Sequence, residues 1–470
     1  MSEVIHTARR APKLAIHRVK TSVPATTTLG ATVFYSLIVV ISLTAIPYGS
    51  AEPWWKSIFQ CGVFLIAAIS IFDGRTSLAG LSSHWRLFLP VVVLMAYALM
   101  QTPGWAVGTP ISADPFQTKL FAVQLASFLI VAALLIRYVD SGEKVLKVVD
   151  VLIAIGLASA CFGVLRQLTQ HTSGFSWPNL ERNLGYAQFL NANHFAFLME
   201  MILGLALGVV AARGVKGTRR MVYILAAVPM WIALVLSNSR AGIVSGLLQV
   251  ILIGFLFSSR FGSSNAARTD SAAARLRRPV LSSVLVISLL LTAMVAVVYV
   301  GGDPLAQKID AAHAELNPDA ARTFALRQNI WQATWNMIKD HPVTGVGFGG
   351  FWMAVTKYHD ASGDITPQQA HNDYLEFVAS GGIVSLLIVA WFAFEFARSA
   401  IRKQRHADGL SRAVRVASMI SIATIGIHSL VDFGLHIPIN ALVYTVLWTL
   451  ATIDLRPNAS VAFDAAAISE

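Results

Sequence analysis

Residues 29–48 read LGATVFYSLIVVISLTAIPY. The run carries no charged side chain over about 20 positions, and at about 1.5 Å per residue a helix of that length crosses the roughly 30 Å hydrocarbon core of a bilayer. It is too long for a signal-peptide core and lacks a clear small-residue cleavage site, so it reads as an uncleaved first membrane span. The segment before it, 1–28, is polar and basic, with Arg9, Arg10, Lys13, Arg18 and Lys20. Comparable apolar runs follow near 56–72, 87–100, 116–136, 148–168, 191–212, 221–237, 241–258, 280–300, 374–397, 416–434 and 439–454.

Composition agrees with that pattern. Of 470 residues, 55% are hydrophobic and 13% charged, against roughly 25% charged in a soluble domain. The chain is therefore expected to be an all-α integral membrane protein of about twelve spans. The net charge of +11 would suggest nucleic acid in a soluble chain, but here its distribution decides. With the amino terminus in the cytoplasm, the cytoplasmic pieces hold most of the 36 Lys and Arg, including the short loops RGVKGTRR (213–220) and RKQRH (402–406). This is the positive-inside bias, and no nucleic-acid partner is expected. The resulting layout is a cytoplasmic segment 1–28, spans one to nine in 29–300, a large extracytoplasmic loop 301–372, spans ten to twelve in 373–454 and a cytoplasmic tail 455–470. Cys61 and Cys161 fall inside apolar runs with no Cys or His at ligand spacing, and are expected to pack in the core.

A loop as long as 301–372 is usually functional or disordered, so polar chemistry is sought there and on the rim it faces. At its end stands QAHNDYLEFVASGG (369–382). Thr366-Pro367 with Gln369, or Asp373 with Glu376, would cap the helix that begins there. Either start leaves His371 beside an amino end whose free N–H groups favour an anion, where an imidazole could exchange a proton. Earlier in the loop, 320–339 has helical periodicity: Phe324, Arg327, Trp331, Trp335 and Ile338 share a stripe whose indoles suit the membrane surface. Arg322 is turned about 140° from Arg327. His341-Pro342 should stop this helix. The glycine run GVGFGGF (345–351) reads as a flexible turn or as a backbone cradle for an anion; the strand-turn-helix context of a dinucleotide fingerprint is missing.

Other polar residues collect on the same rim. SNSRAG (237–242) puts Arg240 in a tight turn, where planar guanidinium suits phosphate oxygens or lipid headgroups. NANHF (191–195) and HSLVDFGLHIP (428–438) bring His194, His428, Asp432 and His436 there. None of these pairs has zinc-site spacing. Glu200, about 13 Å deeper by helical rise, is an intramembrane carboxylate that would be functional or would serve an interhelical hydrogen bond.

SNSRAG, the Arg327-x-x-x-Trp331 pair, HPVTGVGFGGF (341–351) and HNDYLEFVASGGI (371–383) together resemble the O-antigen ligase and Wzy-type polymerase superfamily of bacterial envelope glycosyltransferases. The span count and the large loop between spans nine and ten are similar to that family's. The ligase branch carries His, then Asn, Ser or Gln, nine residues and Gly-x-x-Gly; His371-Asn372 and Gly382 fit, while Ser385 stands at the second Gly.

The resemblance implies metal-independent transfer of a glycan, without a cofactor, from undecaprenyl diphosphate to an acceptor hydroxyl. The acceptor would be lipid A core for a ligase or another lipid-linked glycan for a polymerase. The site would face the periplasm from the bacterial inner membrane, among membrane lipids. By that pattern His371 is the catalytic histidine, and Arg240 and Arg327 hold the donor diphosphate, with Arg322 as substitute; Asn372, His194 and Asp432 complete the expected substrate-binding set. A transporter or flippase of a lipid-linked or anionic solute is the alternative, but polar groups at one face and no visible repeat between halves fit it less well. A scaffold role has no positive feature beyond the basic loops.

Overall fold

The computed structural model describes residues 27–73, 79–103, 110–169, 185–258, 318–359, 367–404 and 409–454. Within these, the α-helices are α1 (Thr28–Thr44), α2 (Pro53–Ile71), α3 (Ala79–Ser82), α4 (Trp85–Met100), α5 (Pro115–Tyr138), α6 (Gly142–Thr169), α7 (Ala192–Ala211), α8 (Gly217–Leu236), α9 (Arg240–Ser258), α10 (Pro318–Asp340), α11 (Phe351–Ala354), α12 (Asp373–Gln404), α13 (Gly409–His428) and α14 (Pro438–Thr452). No strand occurs among the described residues, only an isolated bridge between Tyr186 and Phe189. Seven helices are long and apolar enough to cross a membrane, and four shorter apolar ones accompany them. Together they account for eleven of the expected spans. The ninth, 280–300, lies outside the described residues, as do 1–26, most of the large loop's first part and the tail.

Local chemistry sets the helix starts. Asp114 caps α5 by accepting from the N–H groups of Phe116 and Gln117 at 3.1 and 3.0 Å, with Pro115 in the first helical position. Asn191 does the same for α7 through the Asn193 N–H at 2.8 Å.

Helix α7 is the centre of the bundle, and nearly every residue from His194 to Val209 is buried. Its partner α13 comes close because Gly204 and Gly208 offer no side chain: a Cβ on Gly208 would lie 2.6 Å from that of Ala417. Small residues spaced by four let membrane helices approach backbone to backbone. Where α7 and α13 cross, Glu200 Oε1 and His428 Nδ1 are 2.6 Å apart and both side chains are fully buried. His428 is thus a buried partner of Glu200 and not a group of the rim. Cys61 and Cys161 are both exposed on the outside of their helices, which corrects the expectation that they pack in the core.

The segment after α10 departs most from the sequence reading. Helix α10 ends at Asp340, as the Pro342 signal requires. Its buried face is Ala333, Thr334 and Met337, packed with Val346, Phe351, Val355, Ala370 and Ala379, while Trp335 is exposed. Of the stripe, Ile338 packs against this cluster and Trp335 stays exposed.

The glycine run is neither a loose turn nor an anion cradle. Gly345 donates to the His341 carbonyl, Val346 to Ala379, Gly347 to Ser380 and Phe348 to Gln101 Oε1. Those N–H groups are committed to protein acceptors. The glycines permit close approach: Gly345, Gly347 and Gly349 have positive φ, and a Cβ at Gly345 would strike the Ser380 backbone.

Opposite this wedge, α12 bends at Gly382, which has φ 61 and ψ −165, a region open essentially to glycine. Ile383 N–H then donates to the Pro342 carbonyl, and Ser385 Oγ donates to the Gly382 carbonyl at 2.8 Å. Ser385, the departure from the ligase pattern, thus occupies the acceptor that the bend frees. Tyr97 and Gln101 at the end of α4 clamp Thr344, Ser380 and Gly381.

Candidate active site

The starts of α7, α9, α12 and α14 and the end of α13 meet at one rim of the bundle. His371 sits two residues before α12, with φ +50, in the left-handed region. That conformation costs a non-glycine residue on the order of 1–3 kcal/mol and persists only where neighbours impose it. Here both flanks are pinned. The Ala370 carbonyl accepts from Trp331 Nε1 at 2.9 Å, and the Ala370 N–H donates to Glu376 Oε2 at 2.8 Å. Asn372 Oδ1 accepts from the N–H groups of Tyr374 and Leu375 at 3.0 Å each, and its Nδ2 donates to the Leu430 carbonyl at 2.8 Å.

Asn372 is therefore the helix cap, and Asp373 is not. Asp373 N–H donates to the carbonyls of Ser429 and Asp432. The N–H groups of 373, 374 and 375 all have protein acceptors, so this helix end does not offer them to an anion as expected, and Asn372 acts by holding the turn.

Asp432 is the hub. Its side chain is 1% exposed. Oδ1 accepts from the Phe433 N–H at 2.8 Å and lies 3.9 Å from His371 Nδ1; Oδ2 accepts from Asn193 Nδ2 and lies 3.9 Å from Arg327 NH2. Asn193 Oδ1 in turn accepts from Ser239 Oγ at 2.8 Å. Ser239 precedes Arg240, whose exposed side chain starts α9. The turn carrying Arg240 is thereby tied to the same hub.

The His371 ring is enclosed on its Nδ1 side, which has no hydrogen-bond partner, so Nε2 is the nitrogen a substrate can reach. Burial lowers its pKa below the ordinary histidine value, and the Arg327 guanidinium adds to that; Asp432 and Glu376 pull the other way and are outweighed. The imidazole is held neutral, ready to accept a proton.

The Phe433 ring stands edge-on to His371 (4.8 Å between centroids) and His194 (4.7 Å). His194 is buried behind Phe433, so it lines the hub through an aromatic edge and is not placed to bond a substrate directly. Arg322 lies on α10 among positions whose side chains fall outside the described set.

On the other side of Phe433, His436 bridges two carboxylates, with Nδ1 3.1 Å from Asp373 Oδ1 and Nε2 3.1 Å from Glu376 Oε1. Burial would lower its pKa, but the two carboxylates outweigh it and hold the value well above the ordinary one. Asp373, Glu376 and His436 line a cavity of about 750 Å³. Gln117, Gln369 and Lys56 add polar groups to its wall, and Leu94, Phe121, Phe128 and Trp448 apolar ones.

A family model described as O-antigen ligase matches residues 225–390, from within α8 through α10 and past the His371 turn into α12. This similarity supports the resemblance to the O-antigen ligase and Wzy-type polymerase superfamily read from the sequence. Arg240, Arg327, His371 and Asn372 fall inside this ligase region; Asn193, His194 and Asp432, which complete the hub, fall outside it. No curated protein matches the chain. The match supports a membrane glycosyltransferase-like role in polysaccharide assembly and lipid-linked glycans as the general class of partner.

Sequence reasoning passed over Asn193, Ser239 and Phe433. Asn193 and Ser239 are visible as the Asn and Ser neighbours of His194 and Arg240. Phe433 gives no signal in the sequence, since an aromatic beside an Asp is ordinary.

Proposed function

We propose that the protein moves a glycan from undecaprenyl diphosphate to an acceptor hydroxyl at the periplasmic face of the bacterial inner membrane. The observation that carries this reading is the convergence of Arg327 and His371 on Asp432, each 3.9 Å away, next to an amphipathic cavity. A polyprenyl chain needs an apolar trough, a diphosphate needs cations, and a hydroxyl nucleophile needs a base; the three lie side by side here.

In this reading Nε2 of His371 takes the acceptor proton as the acceptor oxygen bonds to the anomeric carbon. The carbon–oxygen bond to the diphosphate breaks, and its electron pair leaves on the phosphate oxygen. Arg327, with Arg240 across the rim, stabilises that growing negative charge, which is the role of preorganised donors in a transfer of this kind. Asp432 steadies the imidazolium through charge, from a distance that leaves Nδ1 unbonded. One displacement inverts the anomeric centre.

The polysaccharide profile of a strain lacking this protein tests the reading. Glycans that stay one unit long on their final acceptor indicate a polymerase, and full-length chains stranded on the carrier lipid indicate a ligase. An unaltered profile overturns the assignment.

A further inference from the structure

Between α10 and the first turn of α12 runs an open groove of about 570 Å³, lined by Gln328, Asn329, Trp331, Gln332, Trp335 and Leu375. None of these six side chains is charged. Three are amides, which both donate and accept hydrogen bonds, and two are indoles with broad flat faces. Arg327, Trp331 and Trp335 follow at intervals of four, so the aromatic row starts at the guanidinium of the hub and runs about 12 Å along the helix. Gln328 and Gln332 form the adjacent row, one position on.

The chemistry of this lining selects among occupants. A phosphate would require cations in the groove, and an acyl chain would require a continuous apolar wall without amides. A pyranose presents hydroxyls around its edge and C–H bonds on its face, which amides and indoles match in turn. Trp331 is also fixed: its Nε1 donates to the Ala370 carbonyl at 2.9 Å, beside His371, so its ring is held in place and its N–H is not free for a lipid headgroup. Trp335 is 49% exposed, with open face to offer.

We propose that this groove binds neutral sugar rings of the glycan, so that rings near the reacting bond lie on Trp331 and those further along reach Trp335. The inference rests on the glycan-transfer reading and specifies which surface holds the sugar.

The test uses full-length protein in nanodiscs and a phosphate-free, lipid-free oligosaccharide released from the cell's own envelope polysaccharide, followed by saturation-transfer NMR and titration. Wild type should bind it. Trp335→Ala and Gln328→Ala should each weaken binding by about two- to tenfold, the size of an aromatic or polar contact, while Trp335→Phe keeps most of it. Equal binding by all variants overturns the groove. So does quenching of Trp335 by brominated lipid that the oligosaccharide does not relieve, since that makes the residue a membrane anchor. Binding that follows the groove variants in a protein that transfers no glycan refutes the functional reading and leaves the groove standing.

Discussion

Nδ1 of His371 and Oδ1 of Asp432 are 3.9 Å apart, too far for a hydrogen bond and close enough for charge to act. Burial and Arg327 lower the pKa of this imidazole, and Asp432 opposes them. Because a general base works unprotonated, activity should hold to below the ordinary histidine value of about 6.5 before it falls. Asp432→Asn removes an influence that raises the pKa, so the acidic limb should move to lower pH while the rate at the plateau drops. Arg327→Gln removes one that lowers it, so the limb should move to higher pH. Shifts in the same direction in both variants would contradict this arrangement; a pH series of transfer rates reads them.

Arg327→Lys keeps the charge and loses the planar fork. A bidentate phosphate contact cannot be reproduced by an ammonium, so transfer should fall by roughly tenfold or more, mainly in the rate at saturating donor. The same change at Arg240 should also weaken transfer if its exposed guanidinium turns towards the donor, and wild-type rates would make it a lipid-pairing residue. Steady-state kinetics with lipid-linked glycan distinguish these outcomes.

Gly382 holds the bend in α12 with φ +61, and an added Cβ would strike the Val343 backbone. Gly382→Ala should therefore destabilise the protein by several kcal/mol, through strain and the parting of α12 from the glycine wedge. Ser385→Ala, which leaves one buried carbonyl without its donor, should cost about 1–3 kcal/mol. Thermal unfolding in detergent should rank the two in that order.

His436 ties the first turn of α12 to the turn before α14 through Asp373 and Glu376. Its folded pKa is raised above the unfolded value, so the stabilisation is fully present below about pH 6.5 and is lost as pH rises through the raised value. Wild type should lose thermal stability over that alkaline window, and His436→Gln should lose less. A parallel decline in both would show that the bridge does not contribute.

Much of this was legible in the chain. Apolar length gave the helices, since crossing a bilayer demands a run that nothing else requires; His371 and Asp432 were visible as polar residues at the ends of such runs, and Arg327 on the helical stripe of the large loop. What was not legible depends on who meets whom. GVGFGGF looks like an anion loop until its N–H groups are found on Ala379, Ser380 and Gln101. Asp373 has the right spacing from Glu376 to cap α12, but Asn372 does so because Asp373 is engaged by Ser429 and His436. The helical period of 320–339 shows a stripe but not the arc that packs on the protein, which is Ala333 and Met337, because period alone does not set which arc of a helix faces its partner.

The central claim is that the His371 imidazole takes the acceptor's proton. Full-length wild type and His371→Ala are compared for transfer of glycan from undecaprenyl diphosphate in membranes, with His371→Gly as a folding control, since glycine relieves the left-handed backbone and should unfold no earlier than wild type. The account predicts loss of transfer in both variants, with stability kept in the glycine one. Transfer at the wild-type rate by stably inserted His371→Ala protein would contradict it.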